Sequence, residues 1–321
     1  MDLTARVGEV TLANPVMMAS GTVGHGTELG EVVDLAVPGA VVVKSLSAGA
    51  WAGNPPPRLA PARAGMLNSI GLENPGIDAW LENELPRLAA SGATVVASVW
   101  GFTAEDYRRV AARLAAGLSE PGRPGASSVV ALEANISCPN IEDRRQMFAH
   151  SEAGAASALR AVVEGLAEGG SGGVGGLPVW AKLSPNVTDL PAIAAAALGA
   201  GATGLTLINT VMGLALDPAT GRALLGAGGG GLSGPAVHPV AVRAVFDCRA
   251  AFPGVPIVGV GGVSTGVDAA ELLAAGANAV QVGTATFADP RVSLKIIRQL
   301  EAWCSRHGVR RSEELVGIAH G

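Results

Sequence analysis

The chain is poor in cysteine and charge and has no long apolar run. Its only three cysteines, at positions 138, 248 and 304, show no CxxC spacing, so we expect neither a disulfide framework nor a metal site of zinc or iron–sulfur type. No apolar run approaches the roughly 18 residues of a membrane span. The N-terminus lacks the basic-then-apolar pattern of a signal peptide. We therefore expect a cytoplasmic protein that makes no membrane contact.

The charge distribution argues against nucleic acid as a partner. Charged residues make up 15% of the chain, and the formal net charge is −5. Basic residues are scattered, and RHGVRR at 306–311 is more typical of a solvated helix end than of a nucleic-acid patch. The hydrophobic content, by contrast, is 49%, which suits a soluble protein with a large core.

Eight short apolar runs, often rich in β-branched residues, recur along the chain. They occupy residues 16–20, 40–45, 94–99, 129–137, 178–183, 203–209, 256–262 and 279–283. Between them, helical periodicity marks residues 77–91, 104–118, 151–169, 236–252 and 264–277. Continuous apolar strands are typical of parallel sheets covered by helices. Eight strand–helix units predict an α/β fold, a (β/α)8 TIM barrel in one domain over residues 1–321. Long loops are expected at 46–75, 119–127, 170–177 and 211–235.

Polar residues and glycines follow the predicted strands, at the end where barrel enzymes carry their chemistry. They are Ser20, Lys44 with Ser45, Asn135 to Asn140 around Cys138, Lys182, Asn209 with Thr210, Gly261 with Gly262, and Gly283 with Thr284. Two lysines inside apolar strands would cost several kcal/mol if they were left unpaired. Snorkelling or a carboxylate partner would explain either one alone, whereas an anionic ligand in the barrel mouth would explain both.

Glycine-rich turns close the last two predicted strands, at GVGGVSTG (259–266) and VGTATFADP (282–290). Glycine lets backbone N–H groups approach a phosphate, and a following helix start favours negative charge. Tight turns alone could also require glycine, but this paired position is the usual phosphate site of barrels. The GxGxxG matches at 170–175 and 226–231 do not directly follow strands, so a Rossmann nicotinamide site is not predicted.

A series of motifs resembles the dihydroorotate dehydrogenase family, in the same order from end to end. The motifs are NPVMMASGT (14–22), GNPPPR (53–58), GMLNSIGLENPG (65–76), NISCPN (135–140), KLSPNVTD (182–189), INT (208–210), GGLSGPA (230–236) and AVQVGTATF (279–287). The first and third resemble class 1B catalytic subunits more than class 1A enzymes, and class 2 enzymes carry a membrane helix that this sequence lacks.

The resemblance implies a barrel that holds FMN and oxidises dihydroorotate to orotate in pyrimidine (UMP) synthesis. It also implies a homodimeric core joined to an electron-transfer subunit in a heterotetramer. That second subunit would carry FAD and a [2Fe–2S] cluster and would pass the electrons to NAD+.

The same resemblance assigns residues to roles. FMN would be contacted by Ser20, Lys44, Ser45, Ser98, Asn135, Lys182, Ile208, Gly234, Gly261, Gly262, Gly283 and Thr284. The substrate would be held by Lys44, Asn68, Ser69, Ile70, Gly71, Leu72, Asn135, Asn209 and Thr210. Cys138 would be the catalytic base.

The chemistry of the oxidation suits these residue types. A proton must leave one ring carbon and a hydride its neighbour, so the base must face the flavin across the substrate. A thiol with a reference pKa near ~8.5 is a few per cent thiolate at neutral pH, and nearby Lys44 could increase that fraction. Asparagine amides both donate and accept, as the edges of a pyrimidinedione require. Lys182 would lie beside the flavin N1–O2 edge, where negative charge gathers on reduction.

Two stretches depart from the family pattern. Strand three reads ASVWG (97–101) where the family tends to have asparagine after alanine, so Ser98 is expected at the flavin and Trp100 is unexplained. IEDRRQM (141–147) replaces glycines after SCPN, which makes the predicted loop over the substrate more charged.

Other functions stay open on the sequence alone. They are a fumarate-using class 1A enzyme, a different FMN barrel acting on a dihydropyrimidine or dihydrouridine, and a non-redox phosphate-binding isomerase or lyase. A barrel kept only as a binding scaffold would bind flavin without turnover.

Overall fold

The computed structural model describes residues 1–137, 147–170 and 176–321. In chain order, its strands are β1 (Ala5–Val7), β2 (Val10–Leu12), β3 (Val16–Met18), β4 (Val41–Val42), β5 (Leu59–Ala62), β6 (Gly65–Asn68), β7 (Val95–Val99), β8 (Val129–Asn135), β9 (Val179–Leu183), β10 (Gly204–Leu207), β11 (Val211–Gly213), β12 (Gly230–Ser233), β13 (Ile257–Val260) and β14 (Ala279–Val282). Its α-helices are α1 (Ile77–Asn83), α2 (Leu85–Ala90), α3 (Ala104–Ser119), α4 (Glu152–Gly169), α5 (Leu190–Gly199), α6 (His238–Ala251), α7 (Gly266–Ala275), α8 (Ala285–Ala288) and α9 (Val292–Arg306).

Eight parallel strands close into a barrel in the order β3, β4, β7, β8, β9, β10, β13, β14 and back to β3. These eight strands fall within the eight apolar runs found in the sequence. The prediction of a (β/α)8 barrel is therefore confirmed. The runs identify the strands because a parallel strand is buried by helices on one face and by the barrel interior on the other.

The helices agree with the periodic stretches at four of five places. The fifth stretch, 77–91, is divided into α1 and α2 with Glu84 between them. Pro86 causes the division, because proline cannot donate an N–H to the preceding turn. Helices α5, α8 and α9 were not predicted. Helix α5 is apolar nearly all round and shows little periodicity, whereas α9 buries Val292, Ile296, Leu300 and Cys304 at four-residue steps that were overlooked. Among the described residues, no helix is long and apolar enough to cross a membrane.

The barrel interior changes from apolar to polar along its axis. At the N-terminal end, the β1–β2 hairpin packs against one layer of inward side chains, formed by Met17, Val42, Val96, Ala131, Trp180, Val258 and Ala279. Side chains alternate along a strand, so the next inward position is two residues further on. On four strands that position holds buried Ser98, Glu133, Lys182 and Gln281. The polar layer lies toward the C-terminal end of the strands, which we call the mouth of the barrel.

A four-stranded antiparallel sheet, in the order β11-β12-β6-β5, is built from segments that the sequence analysis took for loops. The expectation of long loops at 46–75 and 211–235 is therefore wrong. The strands were missed because they are short and rich in glycine and proline, and because the pairing that joins β6 to β12 is distant in sequence: Asn68 pairs with Gly231. Strand β11 begins directly after Thr210, so the sheet lies at the mouth of the barrel.

Candidate active site

A row of hydrogen-bonded side chains crosses the mouth of the barrel. Asn209 Nδ2 donates to Asn135 Oδ1 over 3.3 Å, and Asn135 Nδ2 donates to Ser45 Oγ over 3.0 Å. The hydroxyls of Ser45 and Ser98 share a hydrogen bond of 2.9 Å. Four residues that the sequence placed in one site, each from a different strand or strand end, are thus brought together.

Beneath this row lies a carboxylate that the sequence analysis missed. Glu133 is fully buried. Its Oε1 accepts from Lys182 Nζ over 3.2 Å and from Ser98 Oγ over 3.3 Å, and its Oε2 accepts from Gln281 Nε2 over 2.9 Å. Of the two explanations offered for a lysine in an apolar strand, a carboxylate partner therefore applies to Lys182. The signal was present as a single acidic residue within the apolar run 129–137.

Lys44 is in a different situation. It is half-buried, and its ammonium group has no hydrogen bond or ion pair with any residue that the structure describes. Burial is the main cause that lowers the pKa of Lys44, nearby Arg58 lowers it further, and Glu73 opposes them. Glu73 itself pairs with Arg58. A half-buried ammonium with no ion pair among the described residues suits an anionic ligand.

The predicted substrate segment, residues 68–72, begins at the end of β6. Asn68 Nδ2 donates to Gly231 O over 3.2 Å, which ties the segment to β12. Gly71 and Leu72 both have positive φ, of 73° and 64°, and a side chain on Gly71 would overlap Asn54. The segment therefore has a specific turn rather than an extended backbone.

Two neighbouring residues hold this turn in place. Asn54 donates its backbone N–H to Ile70 O over 3.0 Å and its side-chain Nδ2 to Ser69 Oγ over 2.8 Å. Trp51 Nε1 donates to Gly71 O over 3.0 Å. Sequence reasoning assigned neither residue to the site, although Asn54 lies within the quoted motif GNPPPR.

The aromatic side chain of Trp100 has a packing role. Its ring contacts Trp51 and Phe102 edge-on, at centroid distances of 6.4 and 4.6 Å, and Trp51 and Phe102 meet at 5.0 Å. Trp100 is buried, and its Nε1 has no hydrogen-bond partner among the described residues. The cluster thus supports the indole that binds Gly71, which gives the departure at strand three a physical explanation.

The glycine turns after β13 and β14 offer backbone donors. Among the described residues, no acceptor receives the N–H groups of Gly262, Gly283 or Thr284. Gly262 has a φ of 68°, and an added Cβ would lie 2.6 Å from His238 Cβ. At Gly283, however, an added Cβ would only touch Ala19 Cβ at 3.5 Å, so protein packing does not require glycine there. A bound group above that backbone would explain why glycine occupies position 283.

Other predicted contacts lie around the same glycines. Gly234 has a φ of 97°, and an added Cβ would lie 2.7 Å from Gly65 Cα. His238 Nδ1 bonds to Gly261 O at 2.8 Å. At the start of α7, Gly266 donates its N–H to Gln299 Oε1 over 2.8 Å and Asp268 donates its N–H to Thr265 Oγ1 over 3.3 Å. These two donors of the helix are therefore already used by the protein.

Three further predicted residues flank the mouth. Ser20 is half-buried just after β3. Ile208 is buried and donates its N–H to Val260 O over 2.8 Å. Thr210 donates its N–H to Asn209 Oδ1 over 2.8 Å. All three therefore occupy strand ends of the barrel, as expected.

Two buried polar atoms of the polar layer have no hydrogen-bond partner among the described residues. They are Thr206 Oγ1 and Gln281 Oε1. Thr206 is the register neighbour of Lys182 across β9 and β10. Buried polar groups in proteins are nearly always hydrogen-bonded, so these orphaned atoms fit a site that a polar ligand or water completes.

The predicted base, Cys138, lies outside the described residues, as does Asn140. The other two cysteines are both buried. Burial raises the pKa of the Cys248 thiol to about 12 and also raises that of Cys304. Burial thus disfavours the thiolate form of both, and Cys138 stays the predicted base.

The fold and the mouth together define a class of protein. A closed parallel barrel with free backbone donors after its last two strands is typical of barrels that hold a phosphate-bearing ligand at the C-terminal face. The family model for dihydroorotate dehydrogenase matches residues 2–303. The chain belongs to the dihydroorotate dehydrogenase family.

Curated relatives make the likeness more specific. The chain is 46% identical to a protein of Desulforudis audaxviator over 98% of this chain and 96% of that protein. It is 42% identical to one of Desulforamulus reducens, over 100% and 99% of the two chains, and 42% identical to one of Anoxybacillus flavithermus, over 98% and 95%. Each of these relatives is named dihydroorotate dehydrogenase B (NAD(+)), catalytic subunit. The resemblance to the family, and to its class 1B branch, is confirmed.

Proposed function

We propose that this chain is a catalytic subunit that oxidises dihydroorotate to orotate in UMP synthesis, with FMN bound at the barrel mouth. The observation that carries the proposal is Lys44, a half-buried ammonium that makes no hydrogen bond or ion pair with any described residue. It lies at the end of a strand, beside a row of amides and hydroxyls. Similarity to type-B catalytic subunits over the full length supports the same conclusion.

The described residues fit FMN. The free N–H groups of Gly262, Gly283 and Thr284 suit its phosphate, with Gly234 and Gly261 in the adjoining turns. Ser20, Ser45, Ser98, Asn135, Lys182 and Ile208, with Lys44, would surround the ring. The orphaned Thr206 hydroxyl is a further candidate contact. When bound, the flavin would accept a hydride.

Dihydroorotate is an anion whose ring carries alternating C=O and N–H groups. In the proposal, Lys44 and the backbone of residues 69–72 receive its carboxylate, while Asn68, Asn135, Asn209 and Thr210 match its polar ring edges. The Cys138 thiolate takes a proton from one ring carbon as a hydride leaves the neighbouring carbon. Two electrons and two hydrogens thus leave the ring, and a C=C bond forms. Buried amides of this kind discriminate strongly against ligands that lack matching polar edges.

The electrons must then leave the chain. We propose an electron-transfer subunit that carries FAD and a [2Fe–2S] cluster and reduces NAD+, in a heterotetramer built on a homodimer of this chain in the cytoplasm. The relatives' designation as NAD(+)-dependent catalytic subunits supports a second subunit. With three cysteines in 321 residues, this chain could not ligate such a cluster with four of its own thiolates. Within the assembly, residues 1–321 would form one domain.

The experiment begins with the purified chain, which should be yellow with a flavin spectrum. Anaerobic dihydroorotate should bleach it, and an electron acceptor should restore the colour. A chain that stays colourless when FMN is added would overturn the proposal in favour of a non-redox barrel. A yellow chain that dihydroorotate does not bleach would also contradict it, and would indicate another substrate or a binding scaffold.

The acceptor is tested with material isolated from the native source. A companion that co-purifies with FAD and iron, and turnover with NAD+, would support the type-B assignment. Turnover with fumarate by the chain alone would instead favour class 1A behaviour.

We expect Trp51→Phe to weaken binding of dihydroorotate about fivefold. The substitution keeps the ring in its aromatic cluster but removes the hydrogen bond to Gly71 O, and such a bond contributes about 1 kcal/mol. The measurement is the KM of dihydroorotate, with FMN content checked from the spectrum. Trp303→Phe is the matched control, because Trp303 stacks on His307 at the end of α9. An unchanged KM in Trp51→Phe would show that the turn does not depend on this bond.

A further inference from the structure

The buried ion pair in the polar layer has a role that the proposed reaction does not explain. Among the described residues that are buried, Glu133 and Lys182 are the only charged ones. Three strands besides its own hold the Glu133 carboxylate, through Ser98 on β7, Lys182 on β9 and Gln281 on β14. An arrangement this specific fixes both the position and the charge of the group.

The fixed position of Glu133 determines where the Lys182 ammonium can go. The contact between Lys182 Nζ and Glu133 Oε1 is 3.2 Å, and only 7% of the lysine side chain is exposed. Breaking a buried pair by removing one partner leaves an uncompensated charge, which is strongly unfavourable. The lysine therefore keeps its orientation toward Glu133 whether or not a ligand is present.

The charges of the pair cancel. A lone ammonium in a low-dielectric interior would strongly favour any negative charge that appears beside it. A carboxylate in contact with that ammonium cancels most of its electric field. The polar layer therefore presents dipoles rather than net charge to a bound group. The electrostatic effect of this layer on the reduction potential of a bound group then depends on Glu133 as much as on Lys182.

We propose that Glu133 is a positioning residue that balances the charge of Lys182 and thereby lowers the reduction potential of the bound flavin. The inference rests on the proposed function in one respect, namely that a flavin binds beside Lys182. Reduction adds negative charge to the ring, which an uncompensated ammonium would stabilise. With Glu133 present, reduced flavin is held less tightly, which favours release of its electrons to a weak oxidant such as a nicotinamide.

The test is the flavin potential of Glu133→Gln. This substitution keeps the shape and an acceptor for Lys182 but removes the negative charge. We expect the affinity for reduced flavin to rise at least about tenfold relative to the affinity for oxidised flavin. For a two-electron couple, this corresponds to an upward shift of ~30 mV in the reduction potential. The measurement is a reductive titration of the flavin-loaded protein with dithionite against a reference dye, and it requires no turnover.

Three further variants test the direction in which the reduction potential of the flavin shifts. Lys182→Met leaves the carboxylate alone and is expected to lower the potential. Glu133→Gln combined with Lys182→Met restores net neutrality, so its potential should return toward the wild-type value. Glu133→Asp keeps the charge and should also stay near wild type. Gln281→Met is the matched control, since it removes a donor to the same carboxylate without changing formal charge, and its shift should be the smallest of the single variants.

The two single charge variants must shift the potential in opposite directions. Equal values in wild type and Glu133→Gln, or shifts of the same sign in both, would overturn the inference. Should Glu133→Gln fail to fold, the neutral double variant and Lys182→Met still decide it, because their potentials must differ. A protein that binds no flavin would refute the proposed function itself. Flavin that dihydroorotate reduces normally in a variant with an unmoved potential would refute only the role of Glu133.

Discussion

Cys138→Ala is expected to leave FMN bound and to slow the reduction of that flavin by dihydroorotate about a thousandfold. General base catalysis contributes roughly 10²–10⁴ in rate, and the alanine variant has no group at this position that can take the proton. Anaerobic stopped-flow absorbance follows the bleaching directly. Cys138→Ser should retain a trace of activity that grows with pH, because a hydroxyl ionises far less readily than a thiol.

The chain supplies matched controls for this prediction. Cys248 and Cys304 are buried, and burial raises the pKa of both thiols. Cys248→Ala and Cys304→Ala should therefore reduce their flavin at nearly the wild-type rate. In the wild type, the rate should rise with pH as the Cys138 thiol ionises. Bleaching of Cys138→Ala at the wild-type rate would show that another group is the base.

Lys44→Met is expected to lower kcat/KM for dihydroorotate about a hundredfold, mainly through KM. The half-buried ammonium has no ion-pair partner among the described residues, so an anionic substrate would supply one. Hydrogen bonds to charged groups contribute about 1.5–3 kcal/mol each, and about 1.4 kcal/mol corresponds to a factor of ten. Steady-state kinetics and direct titration of orotate against the flavin spectrum both measure the loss.

The pH dependence of binding has a definite sign. Burial lowers the pKa of Lys44 from its ordinary value, so the ammonium loses its proton at a lower pH than a solvated lysine does. Affinity for an anion is then full below that lowered pKa and falls as pH rises through it. Lys44→Met should abolish this alkaline loss.

The control for Lys44 is the third lysine of the chain. Lys295 is exposed and pairs with Asp289 at 2.5 Å, and exposed ion pairs contribute little. Lys295→Met should leave the orotate affinity unchanged. An equal loss in both variants, or no loss in Lys44→Met, would remove Lys44 from the substrate site.

The barrel could be predicted because its signal is local. Each of the eight strands is an apolar run, and such a run is visible within a few residues of sequence. The antiparallel sheet at the mouth could not be predicted in the same way. Its strands LAPA (59–62) and GGLS (230–233) have weak strand propensity, and the pairing of β6 with β12 joins residues more than 160 positions apart, as Asn68 with Gly231.

For the candidate site, too, some features were visible in the local sequence and others required the tertiary structure. Lys44 and Lys182 looked alike in the sequence, since each is a lysine near the end of an apolar strand. The structure distinguishes them: Lys182 pairs with Glu133, whereas Lys44 has no partner among the described residues. A side chain's partner depends on which strands lie side by side in the closed barrel, and no local pattern encodes that.

Taken alone, the sequence determined the number of barrel strands, the order of the motifs and the family, because these depend on residue type and spacing along the chain. The role of Cys138 also rests on sequence, and it stays a prediction. Only the tertiary structure decided that Lys182 and Gln281 both bond to Glu133 inside the barrel, that Trp51 and Asn54 hold the turn at 68–72, and that the glycine turns keep donors without an acceptor among the described residues. The reason is physical: burial, charge pairing and unsatisfied hydrogen bonds are properties of neighbours in space, and closure of the barrel selects those neighbours.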